Sequence, residues 1–157
     1  MDFCTIGYIL TILVITLPLC AVLGLADKSL TVTQALPNGA ASVTSTAFDL
    51  ESGTNGSFLA NVEIEVTIPA LTTSQLGDTQ TITYILESAA ASGFGTIVTL
   101  NAGFHTQTGD GGAGDVGATK RLRLPSNVAR YVRVKATKTG ASNASTANMT
   151  VKLLQLM

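Results

Sequence analysis

The stretch NVEIEVTI, residues 61–68, decides the fold. Val62, Ile64, Val66 and Ile68 share one side of an extended chain, and Glu63, Glu65 and Thr67 share the other. A strict period of two belongs to a strand with one face buried and one face wet. Pro69 ends it, because proline donates no hydrogen bond to a ladder.

The same alternation recurs in both directions. Downstream, TQTITYILE (79–87) aligns Ile82, Tyr84 and Leu86 on one face, and TIVTL (96–100) reads as a short apolar strand followed by a long Gly-rich loop over 101–118. TKRLRL (119–124) turns Leu122 and Leu124 inward and Arg121 and Arg123 outward. After the turn signals Pro125 and Asn127, RYVRVKAT (130–137) turns Val132, Val134 and Ala136 inward and Tyr131, Arg133 and Lys135 outward. ANMTVKLLQL (147–156) is the closing strand. Upstream, SLTVT (29–33) precedes a Pro37-Asn38-Gly39 turn, and SVTSTAFDL (42–50) is a second strand ended by the SGTNG loop (52–56). About eight strands separated by turn residues, with no amphipathic helix among them, predict an all-β, two-sheet antiparallel sandwich that is jelly-roll-like. Connectivity does not follow from periodicity.

Residues 27–157 make up the sandwich domain, and residues 1–26 form an apolar N-terminal segment. IGYILTILVITLPLCAVLGLA (6–26) supports three explanations. As a signal peptide it has small residues, Gly24 and Ala26, before Asp27, but its opening MDFCT holds Asp2 and no Lys or Arg. As a membrane anchor it has about 18–21 apolar residues, enough for a hydrocarbon core of ~30 Å; Pro18 interrupts it and Lys28 is the one basic flank. As an over-extended start it is absent from the native protein, which then begins near Leu25. Both cysteines, Cys4 and Cys20, lie in this segment, so the body holds no disulfide and no thiolate. Aromatic residues are 5% of the chain with no Trp, which predicts an aliphatic core.

The net charge of −1 conceals a polar division. Residues 27–118 hold nine acidic residues and one basic one, Lys28, whereas residues 119–157 hold eight basic residues and no acidic one. Where strands of the two parts share sheets, opposite charges neutralise one another across neighbouring strands, at about 0.2–1 kcal/mol per pair. The sharper alternative is an acidic face and a basic face suited to association.

Sites of chemistry are sparse. His105 is the one histidine, in a strand-end or loop setting, and no nucleophile or orienting group can be assigned to it. GDGGAGD (109–115) has the residues of a calcium loop but not its tandem spacing; Asp110 and Asp115 offer carboxylates, yet a Gly-rich surface loop is the simpler reading. Arg121, Arg123, Arg130, Arg133, Lys135 and Lys138 alternate with apolar residues and lack interleaved aromatics, Tyr131 excepted. They read as the solvated or subunit-facing side of a sheet rather than a nucleic-acid platform. No catalytic, cofactor-binding or metal-ligating residue is assigned, and the chain is expected not to be an enzyme.

The second half carries a resemblance. ITYILESAAASGFGTIVTL (82–100), a Gly/Ala loop and KRLRLPSNVARYVRVKATKTGASNASTANMTVKLLQ (120–155) resemble the small capsid cement, or decoration, proteins of tailed bacteriophages. Leu124-Pro125, Arg130-Tyr131-Val132-Arg133-Val134 and Gly140 stand at the matching positions. The opening TVTQALPNGAASVTSTAFDLES (31–52), an early strand leading to Asp49-Leu50, is also similar to that family's start. The resemblance implies a jelly-roll-like fold, no cofactor and binding to the outside of an assembled major capsid protein. It also implies self-association, with a homodimer favoured and a trimer possible. Such a protein is made in the host cytoplasm and resides on the capsid surface of the virion, with no nucleic-acid partner and a membrane only if residues 1–26 are retained. The expected partner interface comprises the outward residues Glu63, Glu65, Arg121, Arg123, Tyr131, Arg133 and Lys135. The alternative is a secreted or membrane-anchored sandwich module that binds carbohydrate or another surface.

Overall fold

The computed structural model of the protein describes residues 30–51 and 62–155. The apolar N-terminal segment and the SGTNG loop lie outside the described residues. Nine strands follow in order: β1 (Thr31–Ala35), β2 (Ser42–Thr44), β3 (Phe48–Asp49), β4 (Val62–Ile68), β5 (Thr81–Ala89), β6 (Val98–Thr108), β7 (Ala118–Arg123), β8 (Tyr131–Lys138) and β9 (Asn148–Gln155).

They form two antiparallel sheets. One has the order β1-β9-β4-β7; the other has the order β2-β8-β5-β6, with β3 also paired to β8. Both β2 and β3 run along the same side of β8: Val43 pairs with Ala136, and Phe48 pairs with Val132. They act as one interrupted strand, so eight strand positions are filled and the winding is jelly-roll-like. The interruption has a local cause. The Ser45 N–H donates to the Val134 carbonyl, while the Ser45 Oγ accepts the Val134 N–H, so a side chain stands in for one backbone acceptor.

The inward rows meet between the sheets as the alternation requires. Ile64, Val66, Ile68, Met149 and Val151 from the first sheet pack with Ile82, Tyr84, Leu86, Val132, Val134 and Ala136 from the second, all buried. With fully buried aliphatic side chains each contributing about 1.5–3 kcal/mol, this shared layer is the main stabilising element.

Three sequence expectations are corrected. First, the stretch 101–108 is strand, not loop: β6 runs to Thr108, and the Gly-rich connection covers only 109–117. Its edge position leaves residues such as Asn101, Ala102 and Gly103 exposed, so no apolar alternation marks it; pairing with β5 is what holds it extended. Second, His105 is therefore a strand residue, opposite Tyr84. Third, Lys138 is not on a solvated face. β8 extends one residue further than its apolar pattern, and parity turns Lys138 inward with Val132, Val134 and Ala136, leaving it 2% exposed.

Candidate functional site

The winding interleaves the acidic and basic parts of the chain. β4, with Glu63 and Glu65, lies between β7 and β9; β5, with Glu87, lies beside β8; and β3, with Asp49, lies on the other side of β8. Cross-strand neutralisation is the arrangement found.

On the outer face of the first sheet, Glu65 has Arg121 opposite it on one side and Lys152 on the other. Arg121 donates Nε and Nη2 to one Glu65 oxygen, each at 2.8 Å, and Lys152 Nζ is 3.6 Å from the other oxygen. The hydrogen bond from Arg121 holds the Glu65 carboxyl below the usual range, with the charge of Lys152 adding to it. The register also sets Glu63 opposite Arg123, but no ion pair joins them.

On the outer face of the second sheet, Arg133 stands opposite Glu87 and donates Nε and Nη2 to one of its oxygens, both at 2.9 Å. Lys135 Nζ lies 3.9 Å from the other oxygen. Although Glu87 points outward by parity, it is only 4% exposed. The connection after β5 turns Phe94 back so that its ring lies 3.8 Å from the Arg133 guanidinium carbon, a cation–π contact. Phe94 adopts a left-handed φ of 51°, an uncommon conformation for a large side chain.

At the rim of the same sheet, Arg130 binds Asp49 in a fork, Nε to Oδ1 at 2.8 Å and Nη2 to Oδ2 at 2.7 Å. This fork, with the Glu51 N–H at 2.9 Å, lowers the Asp49 pKa from 3.8 to about 2. The guanidinium of Arg130 also lies over the Tyr131 ring, 5.2 Å from its centre.

The seven expected interface residues therefore fall into two groups. Glu63, Glu65, Arg121 and Arg123 share the outer face of one sheet; Tyr131, Arg133 and Lys135 share the outer face of the other. In a sandwich the outer faces look away from each other, so one flat partner cannot cover both groups. Four of the seven (Glu65, Arg121, Arg133 and Lys135) already serve ion pairs within the chain. The partners missed by sequence reading are Glu87, Asp49 and Lys152; the only available signal was the opposite charge of the two parts.

Tyr84 Oη donates to Gln107 Oε1 at 2.7 Å, and Gln107 Nε2 donates to the carbonyls of Pro69 and Val116. Burial pushes the Tyr84 hydroxyl well above its ordinary pKa, with the charge of Asp115 adding to it. His105 stacks beside Tyr84 with ring centres 6.1 Å apart, and its Nε2 is buried with no hydrogen-bond partner among the described residues. Its pKa is lowered, chiefly by burial and then by Lys120. Lys138 Nζ reaches Gln80 Oε1 at 2.8 Å and the carbonyls of Thr139 and Gly140 at 3.2 and 3.3 Å, and burial lowers its pKa.

At the Gly-rich connection two carboxylates, Asp115 within it and Asp78 before β5, hold backbone. Asp115 Oδ2 accepts the Thr108 N–H at 2.6 Å, and Gly112 donates to Asp78 Oδ1. Backbone bonds in both directions between Leu71 and Asp115 fasten this connection to the segment after β4. Among the described residues no group of three or more His, Cys, Asp or Glu converges as metal ligands would.

Compared with known proteins, the chain matches no family model and no curated protein.

Proposed function

We propose that the protein is a structural virion component that binds the outside of an assembled phage capsid and stabilises contacts between major capsid subunits. The observation that carries this reading is the place the resembling segments take in the fold. Leu124-Pro125 leaves β7, Arg130 to Val134 opens β8, and Gly140 makes the β8–β9 turn at a φ of 78° with the Gln80 side chain against it. Asp49, from the resembling opening, is the residue that Arg130 grips. Two of these motif positions, far apart in the chain, thus meet in the fold, which supports the reading.

The mechanism is passive. A sandwich in which half of the described charged side chains are ion-paired within the chain buries surface between capsid subunits only once they have reached their assembled spacing. Selective binding to that state stabilises it by RT ln(1 + [L]/Kd). Glu63 and Arg123, the two expected interface charges of the first sheet with no ion pair among the described residues, are suited to setting register with a partner.

The test compares virions of the encoding phage with and without this protein under heat and low salt. Particles lacking it are expected to release DNA at lower temperature, and adding the purified protein back restores them. Equal resistance of the two preparations removes the reading. Binding of the protein to immobilised glycans, with no binding to capsids, supports instead a secreted or tethered surface-binding module.

A further inference from the structure

Lys138 is the one buried lysine among the described residues, and its amine is closely held. Gln80 Oε1 accepts from Nζ at 2.8 Å, and the carbonyls of Thr139 and Gly140 accept from it at 3.2 and 3.3 Å. Gln80 stands just before β5, whose Ile82 lies opposite Lys138, so the pairing of β5 with β8 brings the two side chains together.

The Gln80 carboxamide is as confined as the amine. A methyl group at Gly140 would collide with Gln80 Cδ, and one at Gly77 would press on Nε2 at 3.1 Å, so two glycines leave the slot that the carboxamide fills. Ser142 Oγ lies 2.5 Å from the same Oε1 that Lys138 reaches. Its single proton serves this oxygen or the Gln75 carbonyl, 3.0 Å away, and the Gln80 oxygen is the nearer. A hydroxyl on a carboxamide oxygen supports the negative charge that builds there when the carbon is attacked. Nε2, by contrast, has no hydrogen-bond partner among the described residues and is open to solvent. Burial of Lys138 favours the uncharged amine, the form with a lone pair to give.

We propose that Lys138 and Gln80 join in an intramolecular isopeptide bond. Nζ attacks Gln80 Cδ, the Nζ–Cδ bond forms, the Cδ–Nε2 bond breaks, and a proton passes from Nζ to Nε2 through solvent. The lysine ammonium and the carboxamide thus become one secondary amide and one ammonium ion. Ser142 supports the oxygen while the carbon is tetrahedral. The product ties the end of β8 to the start of β5 in a domain without cysteine, both cysteines being at positions 4 and 20. The proposal does not depend on the capsid reading.

Intact-mass and peptide-mapping mass spectrometry on the purified full chain tests it. Wild-type protein, held at about pH 9 to favour the free amine, is expected to be lighter by one ammonia than its sequence requires. Digestion is expected to release a branched peptide joining Gln80 to Lys138. Lys138→Arg and Gln80→Met are each expected to keep the full mass and to yield no branched peptide. The decisive reading is made on the wild type, so a variant that fails to fold does not weaken it. A wild type at full mass overturns the proposal. So does an ammonia loss that maps to a cyclised Asn-Gly step, Asn38-Gly39 or Asn55-Gly56, or one that persists in either variant.

Discussion

Glu87 and Arg133 stand directly opposite each other on β5 and β8, and Arg133 gives two nitrogens to one Glu87 oxygen at 2.9 Å beneath the Phe94 ring. The carboxylate is nearly buried, so its charge is tolerated only while this partner is present. Arg133→Ala leaves Lys135, 3.9 Å away, as the one cation beside it among the described residues. A loss of about 3 kcal/mol is expected in urea unfolding. Replacing both residues together, Glu87→Leu with Arg133→Met, is expected to lose far less, because no buried charge is then stranded. Equal losses in the two variants would contradict this account.

The Asp49–Arg130 fork makes stability pH-dependent in a defined window. The folded-state pKa of Asp49 is about 2 against an ordinary 3.8. Its contribution is therefore fully present above pH 4 and disappears as pH falls from about 4 through 2, because the unfolded chain takes up the proton first. Glu65, also depressed, acts in the same direction. In Arg130→Met the Asp49 carboxyl is expected to titrate near its ordinary value by NMR. An unchanged titration would show that Arg130 is not the cause.

Gly140 and Gly39 both adopt left-handed φ angles, 78° and 71°, but in different surroundings. A methyl group at Gly39 meets open space, whereas at Gly140 it collides with the Gln80 side chain. Gly39→Ala should cost about 1–2 kcal/mol from backbone conformation alone. Gly140→Ala should cost more, because displacing Gln80 also takes Oε1 from buried Lys138. Thermal unfolding of the two variants checks the order, and equal costs would count against the Gln80 contact.

Tyr84→Phe removes the donor that satisfies Gln107 Oε1 while leaving the ring in the core. A loss of about 1 kcal/mol is expected. Gln107→Ala strands the Tyr84 hydroxyl and the carbonyls of Pro69 and Val116, and should cost more. The double variant should fall short of the sum, which a double-mutant cycle in urea measures.

Which side chains face inward was legible wherever a strand is half-buried. Val62 to Ile68, Ile82 to Leu86 and Val132 to Ala136 all lie as their alternation requires, since successive side chains point to opposite faces whatever the strand's neighbours are. Where that contrast fades, the reading fades. The exposed start and middle of β6 give no apolar rhythm, and Ser45 interrupts a strand by a side-chain hydrogen bond invisible in a pattern of apolar residues. For the candidate interface, the outward direction of Glu63, Glu65, Arg121, Arg123, Tyr131, Arg133 and Lys135 was legible. Their separation onto two opposed faces was not, because that depends on sheet membership.

By itself, then, the sequence determined strand parity, an aliphatic core and an acidic part followed by a basic part. Those are properties of the chain's local geometry and composition. Only the tertiary structure decided that β4 lies between β7 and β9, that β5 lies beside β8, and hence that Glu65 meets Arg121 and Lys152 while Glu87 meets Arg133. It likewise buried Lys138 and left the β6 edge bare among the described residues. Each of those outcomes is set by which distant strand lies alongside, and pairing across tens of residues follows from packing the whole sandwich rather than from any local stretch of it.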